Sequence, residues 1–321
     1  MSKTHTRFSR RRFLNRLIAA AMMIPVEAGW SAGKMQKPKN RNRAVPQIIR
    51  KTIPSTGESI PVIGMGSWLT FDVGDDIRAR NQRIEVLQAF FDKAGAMIDS
   101  SPMYGSSQEV LGYCLARIDN AQELFAATKV WVMGKALGQM QMAAAEKLWG
   151  VARFDLMQIH NMLSWETHLE TLKQMKAEGG IRYIGITTSH GRRHREMEKV
   201  LSSESFDFVQ LTYNVADREA EKRLLPLARE KGIAVIANRP FQRGDLFDAY
   251  GHKPLPEWAA EIDCQNWAQF FLKFIVSHPA VTCAIPATTR VDHMHENMGA
   301  AYGRLPDAAM RQRMAQYLEK I

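Results

Sequence analysis

Eight short apolar runs recur along the chain, each followed by enough residues for one helix, and this alternation constrains the fold more than any other feature. The runs occupy residues 60–65, 96–98, 124–128, 154–159, 181–186, 206–211, 233–237 and 281–285. Most are apolar throughout, as strands buried on both faces should be. Between them the periodicity is helical. Residues 83–93 place Ile84, Leu87, Phe90 and Phe91 on one face, and residues 165–178 do the same with Leu169, Leu172 and Met175. In residues 219–231, Leu224, Leu225 and Leu227 precede a stop at Gly232. Strand–helix alternation repeated eight times predicts a single (β/α)8 TIM barrel over residues 51–321. A doubly wound sheet is the rival, but Gly64-Met65-Gly66 is not completed into the glycine-rich turn that such a fold uses to hold a dinucleotide. A hairpin turn at Ser55-Thr56-Gly57-Glu58 is expected to cap the bottom of the barrel.

The 321 residues carry a formal charge of +10, which by itself suggests nucleic acid or a membrane surface. Its distribution argues otherwise. Residues 1–50 hold twelve Lys and Arg against Glu27 alone, so that segment is +11 and the remainder is close to neutral. No basic stripe with interleaved aromatics appears, so a nucleic-acid partner is not expected. Within the basic segment, Ser9-Arg10-Arg11-Arg12-Phe13-Leu14-Asn15 precedes the apolar stretch 17–24, which ends at Pro25. A charged region, a short apolar region and small residues in that order mark a secretory signal. The stretch is far shorter than the roughly 18 residues of a membrane span, so no stable span is expected. The motif resembles the twin-arginine signal, departing only at Asn15. That resemblance implies a signal peptide over 1–32, recognition by the twin-arginine export machinery, transport of the folded protein and a periplasmic or otherwise extracytoplasmic location. Residues 33–50 read as a basic linker with Pro38 and Pro46.

In a barrel, chemistry sits where strands end and βα-loops begin. The second run leads into Asp99, with Tyr104 five residues on; the third leads into Lys129 and the fourth into His160. Three adjacent strands therefore aim Asp, Tyr, Lys and His at one mouth. Such a set resembles the catalytic tetrad of the aldo-keto reductases, and that resemblance implies carbonyl reduction, which adds hydride to carbon and a proton to oxygen. A phenol titrates near about 10, and a neighbouring ammonium favours its ionised form. Tyr104 is thus the expected general acid, Lys129 its expected partner and Asp99 the counter-ion that holds Lys129. His160 is expected to hydrogen-bond the substrate carbonyl.

Residues 51–321 resemble the aldo-keto reductases, whose tetrad is Asp, Tyr, Lys and His in this order. Gly64 to Trp68, Gly179 to Gly185, Ile285-Pro286 and Glu296-Asn297 agree as well. The resemblance implies a nicotinamide-dependent oxidoreductase that reduces an aldehyde or ketone, with NADP(H) favoured and NAD(H) as the alternative. It implies cofactor contacts at Gly66, Ser67, Trp68, Thr187, Thr188, Gln210, Asn238, Arg239, Pro240, Gly244, Leu246, Ile285, Thr288, Arg290, Glu296 and Asn297, and substrate contacts at Trp68 and Asn161. The chain departs from the family in four places. Thr187-Thr188 stands where the family often has Ser-Asn for the nicotinamide amide. Asn238 stands where a tyrosine commonly stacks on the nicotinamide, Ala287 where a lysine meets the 2′-phosphate, and His293 where an arginine does. Arg290 remains as the cation for that phosphate.

The segment between Lys129 and the fourth strand is short, and the last helical pattern runs almost to Ile321, so an open substrate pocket is expected. The His pairs 190/194 and 293/295 lack a third ligand, and no metal is expected. Cys114, Cys264 and Cys283 are too widely spaced for a disulfide framework. An exported sensor or accessory subunit with little turnover is the competing reading.

Overall fold

The computed structural model describes residues 47–321. The signal peptide over 1–32 and most of the linker over 33–50 lie outside the described residues.

The chain opens with a hairpin of β1 (Arg50–Thr52) and β2 (Ser59–Pro61), paired antiparallel. The barrel strands follow: β3 (Met65–Gly66), β4 (Met97–Asp99), β5 (Phe125–Val130), β6 (Phe154–Ile159), β7 (Ile181–Thr187), β8 (Phe208–Thr212), β9 (Ala234–Asn238) and β10 (Cys283–Ala284). They form one parallel sheet in sequential order. It closes through Ile63 against Ala284, with Gly64 N donating to Ala284 O at 2.9 Å and Ala284 N donating to Val62 O at 2.9 Å. Helices α1 (Ile77–Asp92), α2 (Ser107–Leu115), α3 (Lys135–Trp149), α4 (Trp165–Ala177), α5 (His194–Ser203) and α6 (Leu224–Glu230) each follow one strand. After β9 come a short α7 (Asp245–Tyr250) and then α8 (Trp267–Val276), with α9 (Val291–Gly299) and α10 (Ala308–Leu318) after β10. This is the (β/α)8 barrel the alternation predicts.

Alternate residues on each strand divide the core in two. Val130, Met157, Ile159, Ile184, Ile186, Val209 and Leu211 face out and pack against the helices. Phe125, Leu156, Tyr183, Phe208, Ala234, Ile236 and Cys283 fill the barrel interior. There the Phe125 and Tyr183 rings stack at 5.8 Å and Phe208 meets Tyr183 edge-on at 5.5 Å. Burying each such side chain contributes roughly 1.5–3 kcal/mol.

Two sequence boundaries shift. The run 60–65 splits, because Ile60 pairs into the hairpin and, with Ile53, plugs the bottom of the barrel. Only the end of the run becomes β3. The linker boundary at residue 50 falls slightly late: Arg50 begins β1, Ile49 N donates to Ala301 O at 2.8 Å, and Ile48 and Ile49 pack against the core. The hairpin is held to β7 by the Thr56–Tyr183 hydroxyl contact at 2.8 Å and by the Arg182–Glu58 ion pair.

Candidate active site at the barrel mouth

Asp99 is the last residue of β4, and its backbone is fixed from both sides. Its carbonyl accepts from Ser67 N at 3.1 Å, and the following amide, Ser100 N, donates to Ala127 O at 3.0 Å. The chain then turns, with Tyr104 N donating to Ser101 O at 3.0 Å. Gly105 follows at φ 56°, where a β-carbon would come within 2.3 Å of the Asp72 carboxylate, so glycine alone fits. Lys129 projects inward from β5 and is fully buried. It forms an ion pair with Asp99, and its Nζ donates to Ser100 O at 2.9 Å. The same ammonium lies 5.1 Å from the Tyr104 ring centroid. His160 follows β6 directly and meets Tyr104 edge-on at 5.8 Å. The four expected catalytic residues thus converge. Trp68, at 6.5 Å from Tyr104, and Trp131, at 6.3 Å from His160, flank them.

The electrostatics sort the protons. Burial pulls the Lys129 ammonium down, but Asp99 and Tyr104 beside it more than offset this, and the net shift is upward. Burial also dominates at Tyr104 and lifts the phenol above its ordinary value; Lys129 opposes that shift without overcoming it, and Asp99 adds to it. Lys129 lowers this phenol as expected, but burial outweighs it and the net shift is upward. Because Asp99 already neutralises Lys129, desolvation prevails and Tyr104 keeps its proton, the state a general acid requires. His160 is pushed down to about 2, by burial first and by Lys129 second, so its ring is neutral. Its Nδ1 lies 2.8 Å from Ser101 Oγ, which already accepts from Met103 N at 3.2 Å. The Ser101 hydroxyl has a hydrogen to give to Nδ1, and the tautomer that accepts it carries the imidazole proton on Nε2.

Above these groups lies a cavity of about 530 Å³. Of the expected contacts, Gly66, Ser67, Trp68, Asn161, Thr187, Thr188, Gln210, Asn238, Arg239, Pro240, Gly244 and Ile285 line it. Others do not. Leu246 is buried in the outer core, so its side chain cannot face a ligand there. Thr288, Arg290, Glu296 and Asn297 lie beyond the cavity, on the segment after β10 and on α9. Arg290 is exposed and already paired with Asp292, whose carboxyl it holds well below the usual range. The Thr188 hydroxyl is committed to Arg192 O at 2.6 Å, whereas the Thr187 hydroxyl accepts from Asn161 N at 3.0 Å and keeps its own hydrogen free.

The residues around the cavity fit a dinucleotide. Arg239 lines it with Nη1 buried and without a partner, and burial together with the neighbouring Arg243 lowers its pKa. A guanidinium with a buried, unpartnered nitrogen suits a pyrophosphate. The loop carrying it is strained: Arg239, Gln242 and Arg243 all have positive φ, at 51°, 53° and 66°. It reaches over β10 so that the Arg243 guanidinium sits 4.7 Å from the Trp68 ring centroid. This loop bridges one side of the mouth.

Sequence reasoning missed several contributors. Met103, His190, Phe241, Arg243 and Phe247 also line the cavity. Ser101 orients His160, and Gln158 touches Asp99 at 2.8 Å. Gln158 was legible in principle, because it stands two residues before His160 and so shares its inward face. Nothing in the sequence marks Arg243, whose place depends on how the loop folds back.

The fold and the site define a class: a (β/α)8 barrel whose mouth joins a neutral phenol and imidazole to a buried Lys–Asp pair. The model of the aldo/keto reductase family matches residues 62–315, and the chain belongs to that family. Methylglyoxal reductase YeaE of Escherichia coli (strain K12) is 24% identical over 271 residues, spanning 81% of this chain and 93% of that protein. Aldo-keto reductase yakc [NADP(+)] of Schizosaccharomyces pombe is 25% identical over 304 residues, spanning 79% and 88%. Among solved structures, an aldo/keto reductase from Klebsiella pneumoniae in complex with NADP and acetate superposes with a TM-score of 0.70 at 23% identity, over 85% of this chain and 96% of that one. The glycerol dehydrogenase of Gluconobacter oxydans gives 0.71 at 18% identity, over 84% and 95%.

Proposed function

We propose that the protein is an NADPH-dependent reductase of aldehydes and ketones, with Tyr104 as the proton donor. The observation that carries this reading is the protonated Tyr104 phenol beside the buried Lys129–Asp99 pair, with the neutral His160 ring at 5.8 Å. Bound NADPH supplies hydride to the substrate carbon. Thr187 and Gln210 offer polar groups to its nicotinamide end and Arg239 to its phosphates. His160 Nε2–H takes the substrate carbonyl and orients it, and Tyr104 then gives its proton to the carbonyl oxygen. Lys129 stabilises the phenolate that remains, and Asp99 keeps Lys129 charged and in place. The names of the relatives point the same way, one being a methylglyoxal reductase and another carrying NADP(+) in its name.

Tyr104→Phe tests the assignment. Steady-state kinetics on methylglyoxal and benzaldehyde are expected to show a kcat loss of roughly a thousandfold, the range of one positioned acid. NADPH binding, followed by nucleotide fluorescence, is expected to stay within about threefold of wild type, the equivalent of less than 1 kcal/mol. Binding without turnover in the wild type would favour the sensor reading.

We further infer that the protein is exported through the twin-arginine route, on the strength of the Ser9–Leu14 motif and the apolar stretch behind it. Arg10→Lys with Arg11→Lys keeps the charge and removes the motif. Cell fractionation should then find the protein retained in the cytoplasm. An unchanged distribution would remove the export reading and leave the enzymatic one intact.

A further inference from the structure

Beneath the tetrad, the barrel interior holds a polar layer contributed by alternate strands: Asp99 from β4, Gln158 from β6 and Gln210 from β8. All three are buried, and their hydrogen bonds have a definite polarity. The Asp99 carboxylate, paired with Lys129, can only accept. Gln158 Nε2 donates to Asp99 Oδ1 at 2.8 Å, and Gln210 Nε2 donates to the same oxygen at 3.0 Å. Gln210 Nε2 also donates to Gln158 Oε1 at 3.0 Å. The Gln210 amide nitrogen is therefore held between two acceptors. Turning that amide over would set its carbonyl oxygen against both of them and lose both bonds.

This locked orientation leaves Gln210 Oε1 with a single long contact, from Asn238 Nδ2 at 3.5 Å. Gln210 and Asn238 line the cavity and Gln158 does not. The layer thus ends in an under-used acceptor at the cavity floor. A primary carboxamide, whose NH2 has hydrogens to give, is its chemical complement.

The neighbouring strand makes room for the arrangement. Gly185 on β7 pairs in register with Gln158, and a β-carbon there would come within 2.7 Å of Gln158 Cγ. Its φ is not in the left-handed region, so space and not conformation calls for glycine at this position.

We propose that Gln158 is a positioning residue: together with Asp99 it fixes the polarity of the Gln210 amide, so that Gln210 presents its oxygen to the carboxamide of the nicotinamide. The inference rests on the proposed function and extends it to a residue that touches neither cofactor nor substrate. The rival role for Gln158 is purely structural support of Asp99, and the two roles differ in which ligand feels the loss.

The test uses the full chain with Gln158→Met, a substitution of similar size, and Gln158→Leu as a second variant. Titration calorimetry measures NADPH and, separately, adenosine 2′,5′-bisphosphate, which has the adenine half and no carboxamide. NADPH is expected to bind about tenfold more weakly to either variant, the scale of one lost hydrogen bond, with the bisphosphate within twofold of wild type. In a Gln210→Met background, Gln158→Met is expected to add nothing, because it acts through Gln210. Unchanged NADPH binding, a parallel loss of both ligands, or an additive double variant would overturn the proposal. A wild-type protein that bound no NADPH would overturn the proposed function and this inference with it, whereas a change confined to the variants bears on the inference alone.

Discussion

His160 can donate in one direction only because its ring is neutral and its other nitrogen is engaged. Ser101, a residue the tetrad pattern does not include, lies 2.8 Å from that nitrogen, and we infer that its hydroxyl donates there and keeps the proton on Nε2. Ser101→Ala frees the tautomer. It should lower kcat/KM by about tenfold, in line with loss of one hydrogen bond to a reacting group, with NADPH affinity unchanged. Ser101→Thr keeps the hydroxyl and should restore most of the rate. A Ser101→Ala enzyme with wild-type kcat/KM would show that the hydroxyl does not set the proton. At the same scale, Asp99, Tyr104, Lys129 and His160 were readable in the sequence because each sits at or just past the end of an apolar run. The direction of the Tyr104 shift was not readable, because it depends on how fully the pocket excludes water.

Among the elements, α2 and α3 approach so closely that a side chain cannot intervene. A β-carbon at Gly112 would come within 1.8 Å of Leu148 O, a backbone atom that cannot swing aside. Gly112→Ala must therefore push the two helices apart and should cost about 3 kcal/mol, the upper part of the range for overpacking. Urea unfolding followed by circular dichroism measures this, and a loss below about 0.5 kcal/mol, the level of an ordinary surface substitution, would mean that the helices adjust freely. The loop after β9 behaves differently from what its sequence suggests. In the sequence Asn238 reads as a departure from the family pattern and Arg239 and Pro240 as cofactor contacts, and the structure adds a strained turn that carries Arg243 over Trp68. Residue types alone do not encode such a bridge, because Trp68 and Arg243 are 175 residues apart in the sequence and meet only when the barrel closes.

For the molecule as a whole, two histidines, His160 buried and His278 half-buried, contribute to acid sensitivity. Burial holds His160 down at about 2, with Lys129 adding to the effect, and burial with Arg311 beside it holds His278 down at about 4, both from an ordinary 6.5. As pH falls below 6.5 the unfolded chain takes up protons that the folded chain refuses, so stability drops from about 6.5 downward: through about 4 for His278 and on to about 2 for His160. Thermal melts at pH 7, 5.5 and 4 should show a falling midpoint, and His278→Asn should flatten part of it. A midpoint independent of pH over this window would contradict the neutral state of both rings. The three cysteines are free and buried, and burial pushes each thiol up to about 12. What the sequence by itself determined was the barrel, its strand order and the four residues at its mouth, because hydrophobic periodicity and position at a strand's end are local properties that survive in one dimension. What only the tertiary structure decided was everything that depends on two distant segments meeting: the Gln158–Gln210–Asp99 layer, the Ser101–His160 contact, and the loop across the mouth. Hydrogen-bond polarity and desolvation are properties of an enclosed space, and that space does not exist until the eight strands close around it.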